Sequence, residues 1–477
     1  MTDVLVTDVV VVGAGPAGTM AALRAAQLGA RTALVTEGAF GGMAANDGPV
    51  PVRTLAHAAR LMREARQLPA YGIGGAPPEL DYGRLLVRVS DVVAEVAARS
   101  SLRAQVEAAG ATIREHEGRA RFVGPNTLET ATGRRFHADR VILCTGGVSR
   151  RLDVPGFELT ATHSDAWSLT AVPPSMLVIG SGATGAQVAS VFSAFGTQVQ
   201  LFEAGERILR TEEPEVSACV AAAYRAAGVV IHERFGAIHG FEATPDGIRM
   251  TYGPPGEART AEAALCVVAV GWTADTQGLN LPAAGVETDA RGFVRVDAAQ
   301  QTTAPHVYVA GDVAGVRMLV PQALQAGFTA ATNAVTGSRE TAAHAVNPVG
   351  SFTDPEYAQV GLGEAAARAE GHDIEVVAVP FAETTRAIID GRTTGLCKLI
   401  VARDSHALLG CHLVGERAVD VAQVAAVAMA GGLTVDALAR LPLSFPIYAG
   451  VLGRAAAAAA HRLNRGAEAT GLAAALS

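Results

Sequence analysis

An α/β fold with two similar strand–turn–helix–strand units and a separate C-terminal α+β segment is predicted by three features of the 477-residue sequence. The run DVVVVGAGPAGTMAALRAAQLGARTALVTE, from Asp8, sets an apolar strand, a glycine turn and an apolar helix in succession. The run MLVIGSGATGAQVASVFSAFGTQVQLFE, from Met176, repeats that order. From about Val346 onward, β-rich patches such as CKLIVARD alternate with the amphipathic stretch AVDVAQVAAVAMAGG, and no glycine fingerprint recurs. Two Rossmann-type units in one chain imply two dinucleotide sites.

Composition narrows the class. With 49% apolar and 18% charged residues the chain can bury ordinary globular cores, which sets disorder aside. The net charge of −8 comes with no basic run that could track a phosphate backbone, so a nucleic-acid partner is not expected. The most apolar stretches, 9–12 and 176–179, are short and end in glycine. They read as buried parallel strands, far below the roughly twenty residues of a membrane span. Residues 1–8 show no basic stretch followed by an apolar one, and the expected location is the cytoplasm. The five cysteines are scattered without a CxxC or CxxxxC pair, which suits reduced structural thiols, and no metal site is expected. Lys398 is the sole lysine.

In the first unit Gly13, Gly15 and Gly18 satisfy GxGxxG directly after a strand, with Pro16 and Ala17 opening the helix. The first glycine allows the tight turn, the second lets backbone approach a pyrophosphate, and the third lets helix pack on sheet. The helix N-terminus adds unpaired N–H groups and a positive dipole end. An acid at the end of the second strand is expected to grip the adenosine ribose. Thr36 occupies that register, and Glu37 stands one step late to take over the task.

In the second unit Gly180, Gly182 and Gly185 form the turn, Ala183 and Thr184 begin the helix, and Glu203 falls in register. A carboxylate there accepts hydrogen bonds from both ribose hydroxyls and repels a 2′-phosphate, which predicts NADH as the preferred donor over NADPH. Arg207, four residues on, weakens that preference.

Further motifs accompany these turns: FGGMAANDGPVPVRTL, VILCTGG before VPG, VAVGW, APHVYVAGDVAG and FTDPEYAQVGLGEAAA. With them the chain resembles, over nearly its whole length, the pyridine nucleotide-disulfide oxidoreductases. The resemblance implies FAD in the first unit, NAD(P)H in the second, and a C-terminal domain that builds a homodimer. The implied domains are 1–155 and 284–345 for FAD, 156–283 for NAD(P), 346–465 for dimerisation, and a flexible tail at 466–477. It places Asp312 of the GD motif, with Gly311, on the flavin's ribityl chain. It also sets Gly41, Gly42, Gly118, Ala120, Thr145, Gly146 and Gly271 around the cofactors.

The departures from the family pattern carry the functional reading. The family's redox box has two cysteines, and this chain has Ala44 and Pro49 at those places, neither able to form a thiolate. The family's C-terminal motif supplies a histidine acid/base and an orienting glutamate from the partner subunit. Here SFPIYAG puts Phe445 at the histidine, keeps Pro446, and puts Gly450 at the glutamate. A lysine–glutamate pair that the family sets beside the flavin is replaced by Arg53 and Gln187. An arginine keeps a fixed positive charge that favours anionic reduced flavin. His57 lies one helical turn beyond Arg53.

These features predict an FAD-dependent NAD(P)H oxidoreductase that passes electrons from flavin directly to a small organic acceptor. With Ala44, Pro49, Phe445 and Tyr448 in place of disulfide and histidine, the acceptor side is expected to be apolar and aromatic and to suit a quinone. Two roles remain open for Phe445 and Tyr448, lining that pocket or packing the dimer interface. Two alternatives also stand: a flavin enzyme of specialised metabolism acting on one particular molecule, and an inactive flavin-binding sensor or structural dimer.

Overall fold

A computed structural model describes residues 4–99, 101–342 and 346–464, so the tail expected over 466–477 lies outside the described residues. The chain divides into two compact units. One gathers the described residues of Met1–Leu55, Asp81–Arg151 and Gly271–His344, and the other those of Ala56–Leu80, Leu152–Val270 and Ala345–Ser477.

The first unit is built on a sheet ordered Thr112–Arg114, Thr32–Val35, Val4–Val12, Arg135–Leu143, Thr127–Thr130, Ala120–Gly124, with Val307–Val309 also paired to Arg135–Leu143. Val4–Val12 runs parallel to both neighbours, in register Val9 with Thr32 and Val12 with Leu143. Because both faces of this strand are covered, Val9, Val10, Val11 and Val12 are all buried. Each such valine contributes about 1.5–3 kcal/mol of burial. Helix Pro16–Gln27 packs against helix Val320–Thr336, and the approach is so close that a methyl built on Gly327 would sit 2.2 Å from the carbonyl oxygen of Ala17. Helix Pro49–Ala65 crosses the division, with Leu55 in the first unit and Ala56 in the second.

The second unit contains a parallel sheet ordered Val230–Glu233, Gln198–Glu203, Ser175–Ile179, Leu265–Val268. It also holds a three-stranded antiparallel sheet and a five-stranded one, the latter ordered Val349–Ser351, Tyr357–Gly361, Leu408–Val414, Leu396–Ala402, Ile374–Pro380. Helices Ala418–Ala430 and Gly450–Leu463 belong to the core of that last sheet, through Val421, Ala425, Leu452 and Ala456 among others. The Ala-rich stretch after Arg454 packs into that core as part of helix Gly450–Leu463.

Two clusters in this unit were not legible from spacing. Cys397 and Cys411, on neighbouring strands, bring their Sγ atoms to 4.0 Å while fully buried. Lys398, 2% exposed, sets its Nζ against Glu213 Oε2 at 2.8 Å, Glu215 Oε1 at 2.9 Å and Glu364 Oε2 at 2.8 Å. Burial works to lower the pKa of this ammonium, but the bonds to Glu213, Glu364 and Glu215 outweigh it and hold the lysine firmly charged. No helix among the described residues is long and apolar enough to cross a membrane.

Candidate functional site

The first glycine turn closes directly on the carboxyl end of its strand. Gly13 has φ +103°, and a methyl built on it would lie 2.2 Å from the carbonyl oxygen of Cys144, so only glycine fits. A methyl at Gly18 would lie 1.8 Å from the Gly13 carbonyl oxygen, which is the helix-to-strand contact the third glycine exists to permit. Gly15 differs in kind: an added methyl meets nothing within 4 Å, so space stands open beside the turn. Pro16 takes the first helical position and Ala17 is buried behind it. Gly41 donates its N–H to the Ala14 carbonyl, and a methyl on Gly42 would stand 2.7 Å from the Gly15 Cα, so this second turn lies on the first. Cys144 sits beneath it, its thiol pushed up to about 12 by burial, and is no nucleophile.

A cleft of about 90 Å³ opens beside the turn, lined by Gly13, Thr36, Glu37, Gly118, Ala120 and Thr145, all expected from sequence, together with Arg119, Asp275 and Gln277. Thr36 is buried, whereas Glu37 is exposed and faces Arg119 at 3.4 Å. Arg119 also pairs with Asp275 at 3.0 Å and donates to the Gln277 carbonyl. The guanidinium therefore ties together three other residues of the cleft lining, Glu37, Asp275 and Gln277. Sequence reasoning chose the small residues on either side of Arg119 and passed over it, because an isolated arginine carries no motif.

Three observations test whether FAD suits this unit. The hydroxyl of Thr145 is buried with no hydrogen-bond partner. The carboxyl of Asp312 is raised by burial, and no basic group opposes the rise. Open space borders Gly15. Buried polar groups need partners, and a ligand bearing phosphate and hydroxyl groups supplies them. These residues fit FAD. Gly146 and Gly271 hold the strands Gly147–Ser149 and Trp272–Ala274 in place, accepting from Asp275 N and Arg150 N respectively, and Asp312 lies against Gly147. Gly311, at φ +82°, turns the chain into Asp312.

In the second unit Gly180 and Gly185 repeat the geometry of Gly13 and Gly18, with built methyls 2.4 Å from the Ala269 carbonyl oxygen and 1.9 Å from the Gly180 carbonyl oxygen. Gly182 again borders open space, and Ala183 and Thr184 form the first turn of helix Ala183–Ala194. Glu203 ends its strand half-buried, accepting from Ser181 Oγ at 2.6 Å and Gly205 N at 2.7 Å. Arg207 turns inward and donates to the carbonyls of Leu209, Arg210 and Glu212. It braces the loop and leaves the corner to Arg210, whose side chain covers Gly205. Gln187 donates weakly to the Ala183 carbonyl at 3.4 Å.

Ala44 lies in the short helix Gly42–Asn46, and Pro49 opens helix Pro49–Ala65, which carries Arg53 half-buried on its second turn and His57 exposed. At the C-terminal end Phe445 is 82% exposed. Tyr448 is half-buried: its hydroxyl donates to Asp390 Oδ2 at 2.7 Å, its ring packs by Phe381, and Arg386 lies over the ring face. Burial and the Asp390 carboxylate raise the phenol's pKa well above its usual value. Tyr448 also lines a cavity of about 400 Å³ where Arg60, Arg386, Arg392, Glu64, Asp390 and Glu416 converge, and Ala44, Pro49 and Phe445 are not among its lining residues.

Comparison with known proteins agrees with this anatomy. Residues 7–327 match the family model described as pyridine nucleotide-disulphide oxidoreductase, and residues 347–456 match that family's dimerisation domain. A dihydrolipoyl dehydrogenase of Thermus scotoductus is 32% identical over 471 residues, 96% of this chain and 99% of that enzyme. One from Zymomonas mobilis is 32% identical over 87% of this chain and 90% of its own length. A mercuric reductase of Bacillus cereus is 31% identical over 90% of this chain and 68% of its length. Among solved structures, the HOCl-induced flavoprotein disulfide reductase RclA from Escherichia coli superposes with a TM-score of 0.83 at 23% identity, covering 94% of this chain and 99% of that one, which is a likeness of fold.

Proposed function

Since the chain belongs to the pyridine nucleotide-disulphide oxidoreductase family, whose members are FAD-dependent oxidoreductases using NAD(P)H, we propose that it delivers electrons from flavin directly to a small organic acceptor such as a quinone, with no dithiol relay. The observation that carries this reading is the pair Ala44 and Pro49, a methyl and a pyrrolidine ring where a relay needs two thiols. None of the five cysteines stands in the box, and Cys144, Cys266, Cys397 and Cys411 are buried thiols.

Bound FAD supplies hydride acceptance from the nicotinamide and electron release to the acceptor. The protein's part is positioning. Gly180, Gly182 and Gly185 open the pyrophosphate turn, and Glu203 receives the adenosine ribose of the donor, preferring NADH. Arg53 holds a fixed positive charge on the helix that follows the box. Phe445 and Tyr448 belong to the acceptor side in a homodimer formed through the C-terminal domain. The charged cavity around Tyr448 favours a second reading, in which one specific polar molecule is the substrate.

Anaerobic dithionite titration tests the main reading. It should end at about two electrons per FAD, with no long-wavelength thiolate-to-flavin band, because only the cofactor carries redox chemistry. A four-electron endpoint would overturn it.

A further inference from the structure

Helix Val320–Thr336 carries two buried primary amides that are treated very differently. Asn333, 0% exposed, is fully provided for: its Nδ2 donates to the carbonyls of Ala299 and Glu340, both at 2.8 Å, and its Oδ1 accepts from Ser338 Oγ and Glu340 N. Gln322, three turns earlier on the same face, is 3% exposed, and neither its Nε2 nor its Oε1 has a hydrogen-bond partner. A leucine or methionine would fill the same volume with no such penalty. An amide left dry at both ends is costly unless something absent from the chain itself completes it.

Its position says what that is. Gln322 lies in the first turn of the helix, and the adjoining Ala323 is packed against the Gly311 turn, where a methyl built on Gly311 would stand 3.8 Å from Ala323 Cβ and 3.0 Å from Ala17 Cβ. Gln322 thus precedes, in the first turn of the helix, the residue that packs on the turn presenting Asp312. Thr145 Oγ1, which is buried without a partner, and the Asp312 carboxyl, raised by burial, belong to the same unit.

We infer that Gln322 is a flavin-binding residue whose side-chain amide pairs with the pyrimidine edge of the isoalloxazine ring. That edge presents an imide N–H flanked by two carbonyl oxygens, so one primary amide can donate to it and accept from it at once. The inference rests on the FAD reading above, and no motif in the sequence pointed to this glutamine.

The test compares wild-type protein with Gln322→Leu and Gln322→Glu, each stripped of FAD and titrated back, with melting temperature read on apo and loaded forms. Gln322→Leu should raise the FAD dissociation constant roughly tenfold to a hundredfold. It should also raise the apo melting temperature, because an unpartnered amide is gone, and shift the bound flavin's absorbance and two-electron potential. Gln322→Glu, which keeps the shape but adds a charge, should lower that potential. An unchanged dissociation constant, or an apo melting temperature that falls with the affinity, overturns the inference in favour of ordinary packing. Weaker binding with unaltered spectrum and potential overturns the pairing with the pyrimidine edge. A wild-type chain that takes up no FAD at all sinks the flavin reading itself, a result separable from the others.

Discussion

Both carboxylate oxygens of Glu203 are already engaged, one by Ser181 Oγ and one by Gly205 N, yet a carboxylate has about four lone-pair sites and retains capacity for two ribose hydroxyls. A negative charge at this place repels a 2′-phosphate. Glu203→Gln keeps an acceptor for Gly205 N while the Ser181 hydroxyl turns to accept from the new amide, so the corner survives and the charge is lost. The kcat/KM ratio of NADH to NADPH should fall about tenfold, the scale of one removed close repulsion. Arg207→Ala should leave that ratio unchanged and lower stability by about 2 kcal/mol, because its guanidinium holds three loop carbonyls. A ratio that moves with Arg207 and not with Glu203 would contradict this assignment. The register of Glu203 was readable by counting from the third glycine, because strand, turn and helix are contiguous. The direction of Arg207 was not, since it depends on how the loop 204–212 folds back on itself. Tyr448 and Asp390, 58 residues apart, are likewise a pair that no local pattern announces.

At the scale of one element, the turn before helix Ala183–Ala194 separates two kinds of glycine. Gly182 has φ −67°, accessible to any residue, and an added methyl would point into open space. Gly185 would drive its methyl to 1.9 Å from the Gly180 carbonyl oxygen. Gly182→Ala should thus melt with the wild type but raise the NADH KM at least about tenfold, as the methyl occupies the place of the pyrophosphate. Gly185→Ala should lose about 1–3 kcal/mol of stability, the cost of overpacking a closed contact, whether or not NADH is present. Equal melting curves for the two variants would mean the turn does not serve the role assigned to it. Sequence spacing identified both glycines as one motif. Only the packing divides them into one that shapes the protein and one that leaves room for a ligand.

Over the whole molecule, the parallel sheets and their glycine turns were legible because each is a local run of apolar residues ending in a special backbone position. The pairing of distant residues such as Lys398 with Glu213, or Cys397 with Cys411, is written only in the assembled sheets. The C-terminal domain leaves Phe445 82% exposed, and Leu441 and Val427 of the same domain are exposed as well. Sedimentation should return twice the chain mass, and Phe445→Glu should weaken association at least about tenfold by forcing an unpaired charge into a covered apolar surface. A wild-type monomer, or a dimer indifferent to that substitution, would count against the homodimer. The sole lysine adds a consequence of another kind. With Nζ enclosed by Glu213, Glu215 and Glu364, Lys398 offers no free amine to acylating reagents while the fold is closed. Reaction at that one ε-nitrogen becomes a single-site clock for the opening of its domain, with no other lysine to blur the reading.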